Sequence, residues 1–283
     1  MLRLLAGFPV LSRVWLYALL VGAYSGLAVW KEHSRLKDQL DQPAQIHEVF
    51  GLVLGLFLVF WTNRAYERWW EARTLWGQLV NTSRNQAVKI KNLLKLPASD
   101  LRYCESILIG FPYALKEHLR DGIELNQVPG FESSSDRPAH VPAYLVSLLY
   151  GRFHKWYQTG MITGDELRIL DLEAKQLLEI DGACERIRNT LIARSYRRFI
   201  RQLVILHLIA LPWGLAEEFG NATIIIVTIA AYFMIGITVI AHAIEEPFGR
   251  DEDDLNLSQL CRVIETSVRE IFARKTPLNS PSS

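Results

Sequence analysis

Four long apolar runs constrain this 283-residue chain more than any other feature. They cover residues 14–30, 46–61, 199–216 and 223–244, and the last contains no Asp, Glu, Lys or Arg. A helix needs about 20 apolar residues to cross the roughly 30 Å hydrocarbon core of a bilayer. The fourth run meets this length, and the others meet it if flanking side chains reach the interface. The sequence therefore predicts an all-α membrane protein with four transmembrane helices in a lipid bilayer.

A soluble protein with buried helices is the competing interpretation, but four such runs would overfill a soluble core of this size. We also expect the first run to be a retained helix rather than a secretory signal. It is longer than a typical signal core, and Lys31, Glu32 and His33 follow it where a cleavage site of small residues would stand.

The distribution of Lys and Arg predicts the orientation, because connections rich in these residues stay in the cytoplasm. Residues 62–198 are rich in both, whereas the connection between the third and fourth runs has neither. This places 62–198 in the cytoplasm below the cell (inner) membrane, with both termini and the C-terminal segment 245–283. The connection between the first and second runs is an exception, because it should face outward but contains Lys31, Arg35 and Lys37.

The cytoplasmic part reads as helical, since apolar residues recur there at intervals of three and four. Its helices are predicted at about residues 65–94, 101–120, 143–158 and 163–191. The second transmembrane helix should run into the first of them without a break, and the last should run into the third transmembrane helix. Thr163 and Glu166 form a capping box at the start of that last helix. We therefore predict one domain over residues 1–283.

Signatures of enzyme chemistry are missing: we find no Gly-rich phosphate loop, no His-Glu-x-x-His, no Gly-x-Ser-x-Gly and no paired metal spacing among seven histidines. The net charge of +1 gives no reason to expect nucleic acid. Cys104, Cys184 and Cys261 are too far apart for a disulfide framework, so we expect buried thiols. We expect no enzyme and no required cofactor. His207 and His242, in or near the runs, are candidates for function or for a hydrogen bond between helices.

A stripe of bulky apolar side chains follows the second run. Residues four apart share a helix face, and the stripe consists of Leu52, Leu56 and Phe60. Gly51 and Gly55 lie beside it, where small residues let helices approach closely. Several copies around an axis would form a narrow hydrophobic neck able to gate by dewetting. Ordinary packing or lipid contact is the alternative reading.

The chain resembles the bestrophin family in two motifs. One is Tyr66-Glu67-Arg68-Trp69-Trp70, followed by Ala72-Arg73-x-x-Trp76-Gly77, directly after the second run. The other is Glu246-Pro247-Phe248-Gly249-x-Asp251-x-x-Asp254, directly after the fourth. Cys184-Glu185-Arg186-Ile187 resembles the prokaryotic members in particular. The likeness covers nearly the whole chain in order and spacing.

This resemblance implies a homopentamer around one central pore, with a wide cytoplasmic vestibule. By register from Arg68, the family's neck positions fall on the three residues of the stripe. The resemblance also implies a second constriction on the helix before the third transmembrane helix. That constriction falls at Lys175, or at Leu170 or Leu172 if a loop length differs.

Animal bestrophins bind calcium in a clasp after the Pro-Phe-Gly sequence. By resemblance, Asp251 and Asp254 match the side-chain ligands, and Ala243 and Glu246 match positions that give backbone carbonyls. Arg250 replaces an acid and lowers the negative charge. Two carboxylates and carbonyls can bind calcium, but they can equally bind an arginine or a helix end.

The resemblance implies a passive channel for small monovalent ions. Animal bestrophins pass chloride and other anions, whereas a prokaryotic relative passes sodium, so the prokaryotic likeness favours cations by a small margin. The apolar neck carries no charge; Arg64 would favour anions if it faced the axis, and Glu245 and Glu246 would oppose it.

A coupled membrane transporter is one alternative to a channel; Pro212 and Gly214 offer a break in the third run, but the second and fourth runs show no matching break. A membrane scaffold without ion flux is another.

Overall fold

The computed structural model describes residues 9–34 and 44–274, with side chains from residues 14 and 47 onward in the two segments. All regular structure in these segments is helical, which confirms the predicted all-α class. The helices are α1 (Pro9–Glu32), α2 (Ala44–Leu93), α3 (Ala98–His118), α4 (Val141–Gln158), α5 (Gly164–Asn189), α6 (Arg194–Phe219), α7 (Ala222–Glu245) and α8 (Leu257–Ala273), with a short 3-10 turn at Leu125–Gln127.

The chain forms two compact units. The first contains residues up to 69 together with 191–246, and the second contains 70–190 and the residues from 247 onward. The division falls inside α2, which is one uninterrupted helix of 50 residues, as the sequence predicted. The single domain expected from the sequence stays a prediction.

The first unit holds the four helices that are long and apolar enough to cross a membrane: α1, α6, α7 and the N-terminal half of α2. Helices suit such sequences because each satisfies its own backbone hydrogen bonds in lipid. One face of α2 packs into the core of the unit through Leu54, Leu58 and Trp61, against Ile200 and Leu208 of α6. This packing fixes the rotation of α2 about its own axis.

Glycine lets α6 approach α2 closely. A Cβ at Gly214 would overlap the imidazole ring of His47, so no larger residue fits there without movement. The helix break that Pro212 and Gly214 offered to a transporter is absent, because α6 continues through both residues from Arg194 to Phe219. The imidazole ring of His47 occupies the space that a side chain at position 214 would fill.

The predicted continuity between the last cytoplasmic helix and the third transmembrane helix is also wrong. Helix α5 ends at Asn189 and α6 begins at Arg194. Between them, the backbone N–H of Ile192 donates to Oε1 of Glu245 over 3.1 Å. The Ile192 N–H, which would bond to a backbone carbonyl in a continuous helix, thus bonds to the buried Glu245 carboxylate instead.

The second unit is built from α3, α4, α5 and α8, with the rest of α2. Helix α8 is amphipathic, and its buried face contacts α3: Cys261 Sγ donates to the Pro112 carbonyl over 3.3 Å, and Tyr113 OH donates to Glu265 over 2.7 Å. The capping box of α5 is confirmed, because Thr163 and Glu166 exchange backbone and side-chain hydrogen bonds. The three cysteines are buried and unpaired, as expected.

The close approach at Gly214 generates a stability prediction. Gly214→Ala should lower the free energy of unfolding by about 1–3 kcal/mol, since overpacking forces side chains off their preferred rotamers. Gly26→Ala in α1 is the matched control, because a Cβ at that helical glycine meets nothing within 4 Å.

Unfolding in detergent, followed by circular dichroism, measures both variants. Adding His47→Ala should make the effect of Gly214→Ala smaller, which shows that the two sites are coupled. Equal effects of the two glycine substitutions would contradict the packing described here.

Candidate pore-lining helix

Within the first unit, helix α2 has one buried and one open face. Leu54 is 3% exposed, whereas Leu52, two residues earlier, is 78% exposed. The predicted stripe lies on the open face, with Leu56 and Phe60 each more than half exposed. A protomer therefore leaves uncovered the apolar side chains that the spacing selected. A large contiguous apolar patch is unfavourable in water. This face is therefore expected to contact lipid, to contact another copy of the chain, or to line a pore that can lose its water.

The two glycines beside the stripe differ in their surroundings. A Cβ at Gly51 would lie 3.7 Å from the ring of His207, whereas one at Gly55 would meet nothing within 4 Å. His207 is buried and packs edge-on against His47, with ring centroids 6.4 Å apart. The Gly51 side of α2 thus faces α6, and His207 is part of that packing.

The lower end of the stripe carries a pair of opposite charges. Arg64 donates to Glu67 over 2.9 Å, and both side chains are mostly exposed. An exposed pair of this kind is screened and adds little stability, but it offsets the positive charge of Arg64. Sequence reasoning noted Arg64 and missed Glu67, although the spacing of three residues on one helix would have revealed it.

Glu245, at the end of α7, is enclosed within the first unit. It is 0% exposed, its Oε1 accepts the Ile192 N–H, and its Oε2 lies 3.5 Å from Arg197. The backbone carbonyl of Glu245 accepts a hydrogen bond from Arg68 Nε over 3.2 Å. The carboxylate that was expected to oppose Arg64 is thus buried, with the Ile192 N–H and Arg197 as its partners.

Further residues around Glu245 complete this arrangement. His242 lies one turn earlier, half-exposed, with Nδ1 4.0 Å from Oε2 of Glu245. Glu246 is exposed. Arg197, which sequence reasoning did not select, is the cation nearest to the buried carboxylate.

The residues of the predicted calcium clasp fall in both units: Ala243 and Glu246 in the first, Asp251 and Asp254 in the second. Within the second unit, Oδ2 of Asp254 accepts the Asp251 N–H over 2.6 Å. Burial raises the pKa of Asp254, and this hydrogen bond works in the opposite direction. The loop oxygen of Asp254 is thus already committed to the backbone.

An arginine also occupies this loop. Arg120 donates from Nε to the Phe248 carbonyl over 2.9 Å and from Nη2 to the Gly249 carbonyl over 2.6 Å. Arg250, the residue that replaces an acid, pairs with Asp121 over 2.7 Å. Calcium takes six to eight oxygen ligands, whereas the second unit contributes two predicted carboxylates, and Oδ2 of Asp254 already accepts a backbone N–H. Calcium binding stays a prediction.

The second predicted constriction lies on α5. Leu170 is buried in the second unit, so it cannot present a surface to a pore. Leu172 is exposed, and the exposed Lys175 pairs with Glu179 over 3.3 Å. Of the three alternatives, Leu172 and Lys175 remain.

Breaking the contacts of Glu245 generates a second prediction. Glu245→Ala should destabilise the protein by about 3–5 kcal/mol, because it leaves Arg197 and the Ile192 N–H without their buried partner. Glu246→Ala is the matched control: its side chain is exposed, and we expect a change below about 0.5 kcal/mol. Thermal unfolding in detergent measures both, and a similar loss in both variants would contradict the assignment.

The sequence matches the profile of the family described as "Bacterial/Fungal Bestrophin protein" over residues 1–270. A voltage-dependent anion channel-forming protein of Ralstonia nicotianae is 33% identical over 235 residues, covering 79% of this chain and 76% of the relative. A protein of the same description from Mesorhizobium japonicum is 30% identical over 287 residues, covering 96% and 88%.

Solved structures share the fold. A variant of a bacterial bestrophin homologue from Klebsiella pneumoniae superposes with a TM-score of 0.84 at 22% identity, over 92% of this chain and 99% of that chain. A second variant of the same homologue gives 0.85 over 94% and 99%.

Proposed function

The chain belongs to the bacterial and fungal bestrophin family, and from this we propose that it is the subunit of a passive channel for small monovalent ions in the cell (inner) membrane. The observation that carries the proposal is the uncovered stripe on α2, opposite a face that is fully packed. The names of the relatives, voltage-dependent anion channel-forming proteins, support it.

The proposed assembly is a homopentamer with α2 from each subunit facing a central axis. Leu52, Leu56 and Phe60 would then form three stacked apolar rings. The number five follows from the family resemblance. The basic composition of residues 62–198 supports a cytoplasmic position for that stretch and for both termini.

A neck of this kind would control ion flow by controlling whether water fills it. Its side chains offer no oxygen ligands, so it does not bind a permeant ion. When the rings approach closely, the neck loses water and becomes a barrier; when they separate, it fills and conducts. We propose that small movements of α2 switch the channel in this way.

We propose an anion as the permeant ion. The relatives' names favour anions, and none of the comparisons supports the cation favoured by the sequence. The neck is neutral, and the positive charge of Arg64 is offset by Glu67. Charges near the neck therefore give little preference for anions or for cations. The proposal includes no required cofactor.

A coupled transporter is disfavoured by the continuity of the helices. Transporters of this class use broken helices with free backbone groups at mid-membrane, whereas α2 and α6 run through without interruption. A scaffold without flux is the outcome that the following experiments would reveal.

Shortening the neck side chain at Phe60 should raise conductance. Phe60→Ala widens the lowest ring and weakens dewetting, so we expect larger unitary currents in planar bilayers. Val59→Ala is the matched control, because Val59 is an exposed apolar residue at the same depth but outside the stripe. Equal currents in wild type and Phe60→Ala would contradict a neck at this position.

The reversal potential in a KCl gradient gives the sign of the permeant ion. Purified protein in a planar bilayer should reverse near the chloride equilibrium potential. Reversal near the potassium potential would overturn the proposed anion selectivity but leave the channel, whereas silence in repeated reconstitutions would favour the scaffold.

A further inference from the structure

Two histidines and a glutamate converge in the second unit. His118 lies at the end of α3, His140 is the N-cap residue of α4, and Glu185 lies on α5. Oε1 of Glu185 is 2.7 Å from Nε2 of His118 and 3.0 Å from Nε2 of His140. The two imidazole rings are stacked at a tilt, with centroids 4.4 Å apart. Three separate elements of the fold thus bring their side chains to one point.

A fourth group lies one turn before Glu185. Asp181 is 3% exposed, and its Oδ2 is 3.7 Å from Nε2 of His140. Its Oδ1 is buried and has no hydrogen-bond partner among the described residues. A buried carboxylate with an unsatisfied oxygen is costly unless a cation or a donor reaches it. The cluster therefore carries two carboxylates, and one of them lacks compensation.

The pKa values follow from this crowding. Burial raises the pKa of Asp181 to about 6, more than the nearby histidines lower it. Burial acts in the same direction on Glu185, but the hydrogen bonds from His118 and His140 outweigh it and lower its pKa. Glu185 is thus held as an anion between two rings, while Asp181 lacks a full positive partner.

Two imidazole nitrogens and two carboxylate oxygens are a ligand set that suits zinc and related divalent ions. The ligand atoms of His118, His140 and Glu185 all lie within 4.8 Å of one another. A tetrahedral zinc ion with bonds of about 2.0–2.2 Å holds its ligands roughly 3.3–3.6 Å apart. The observed separations of 2.7, 3.0 and 3.7 Å bracket this value, so small side-chain movements make room for the ion.

We propose that His118, His140, Glu185 and Asp181 form a binding site for a divalent transition-metal ion, with zinc as the best match. The ion replaces the protons that the two histidines share with Glu185 and gives Asp181 its missing partner. It joins the end of α3, the start of α4 and the body of α5, so it stabilises the second unit. The site uses none of the residues of the α2 stripe and does not depend on ion conduction.

One local interaction competes with the metal. Nδ1 of His140 accepts the Ala143 N–H over 3.2 Å, which places the ring proton on Nε2. Metal binding at Nε2 moves that proton to Nδ1 and breaks the cap. His140→Asn separates the two roles, because Asn also caps helices but provides no imidazole ligand.

Zinc titration of the metal-free, full-length protein in detergent tests the site, with calorimetry for stoichiometry and thermal unfolding as a second readout. We expect one zinc per subunit and a higher Tm in its presence, because binding to the folded state stabilises it. His118→Ala and Glu185→Gln should each weaken binding by more than the roughly 10–100-fold typical of supporting residues. His140→Asn should do the same while keeping the metal-free Tm near wild type.

His154→Ala is the matched control, since His154 is an exposed histidine on α4 outside the cluster. It should bind zinc like wild type. The proposal is overturned if wild type binds no zinc, or if His118→Ala, Glu185→Gln and His140→Asn all bind zinc as wild type does. Channel currents are not read in this experiment, so its failure leaves the proposed channel function untouched.

Discussion

A buried carboxylate holds three helices of the first unit together. Glu245 receives the Ile192 N–H where α6 begins, faces Arg197 one turn later, and through its carbonyl binds Arg68 of α2. A charge this deeply enclosed is tolerated only when such partners surround it, so the contacts must form together. They tie the segment that leads into α6 to the end of α7, and they hold α2 near its midpoint, at Arg68. Leu54, Leu58 and Trp61 pack into the core of the first unit and fix the rotation of α2. This rotation leaves the stripe on the face that points away from that core.

The function proposed for α2 follows from this rotation rather than from any special residue. Nothing distinguishes Leu52 chemically from Leu54; one is open and the other is packed because of where the neighbouring helices lie. Close packing at Gly214 against His47 and at Gly51 against His207 keeps α6 on the opposite side. The apolar stripe of α2 is therefore left uncovered in the protomer, as the proposed ring of subunits requires. In the second unit, Arg120 binds the carbonyls of Phe248 and Gly249, and Glu185 of α5 contacts His118 at the end of α3 and His140 at the start of α4.

Much of this could be read from the sequence. Hydropathy gave the four apolar helices, the four-residue spacing gave the stripe, and the capping box gave the start of α5. What could not be read depends on contacts between distant segments. The sequence shows Glu245 only as an acid at the end of the fourth run, able to oppose Arg64; only folding brings Ile192 and Arg197 to it. Pro212 and Gly214 looked like a break, but a proline inside a helix is tolerated in a membrane, and His47 uses the glycine. The meeting of His118, His140 and Glu185 left no spacing signal, because 67 residues separate the first from the last.

The central claim is that the open stripe of α2 faces water in an assembled pore. Cysteine accessibility tests it most directly, and the chain is suited to the method because Cys104, Cys184 and Cys261 are all buried. Single cysteines at Leu52, Leu56 and Leu58 are introduced, and a charged, water-soluble thiol reagent is applied to the reconstituted channel during current recording. The account predicts rapid modification with a change of current at Leu52→Cys and Leu56→Cys, and none at Leu58→Cys. Modification at Leu58→Cys, or none at the two stripe positions while currents persist, would contradict it.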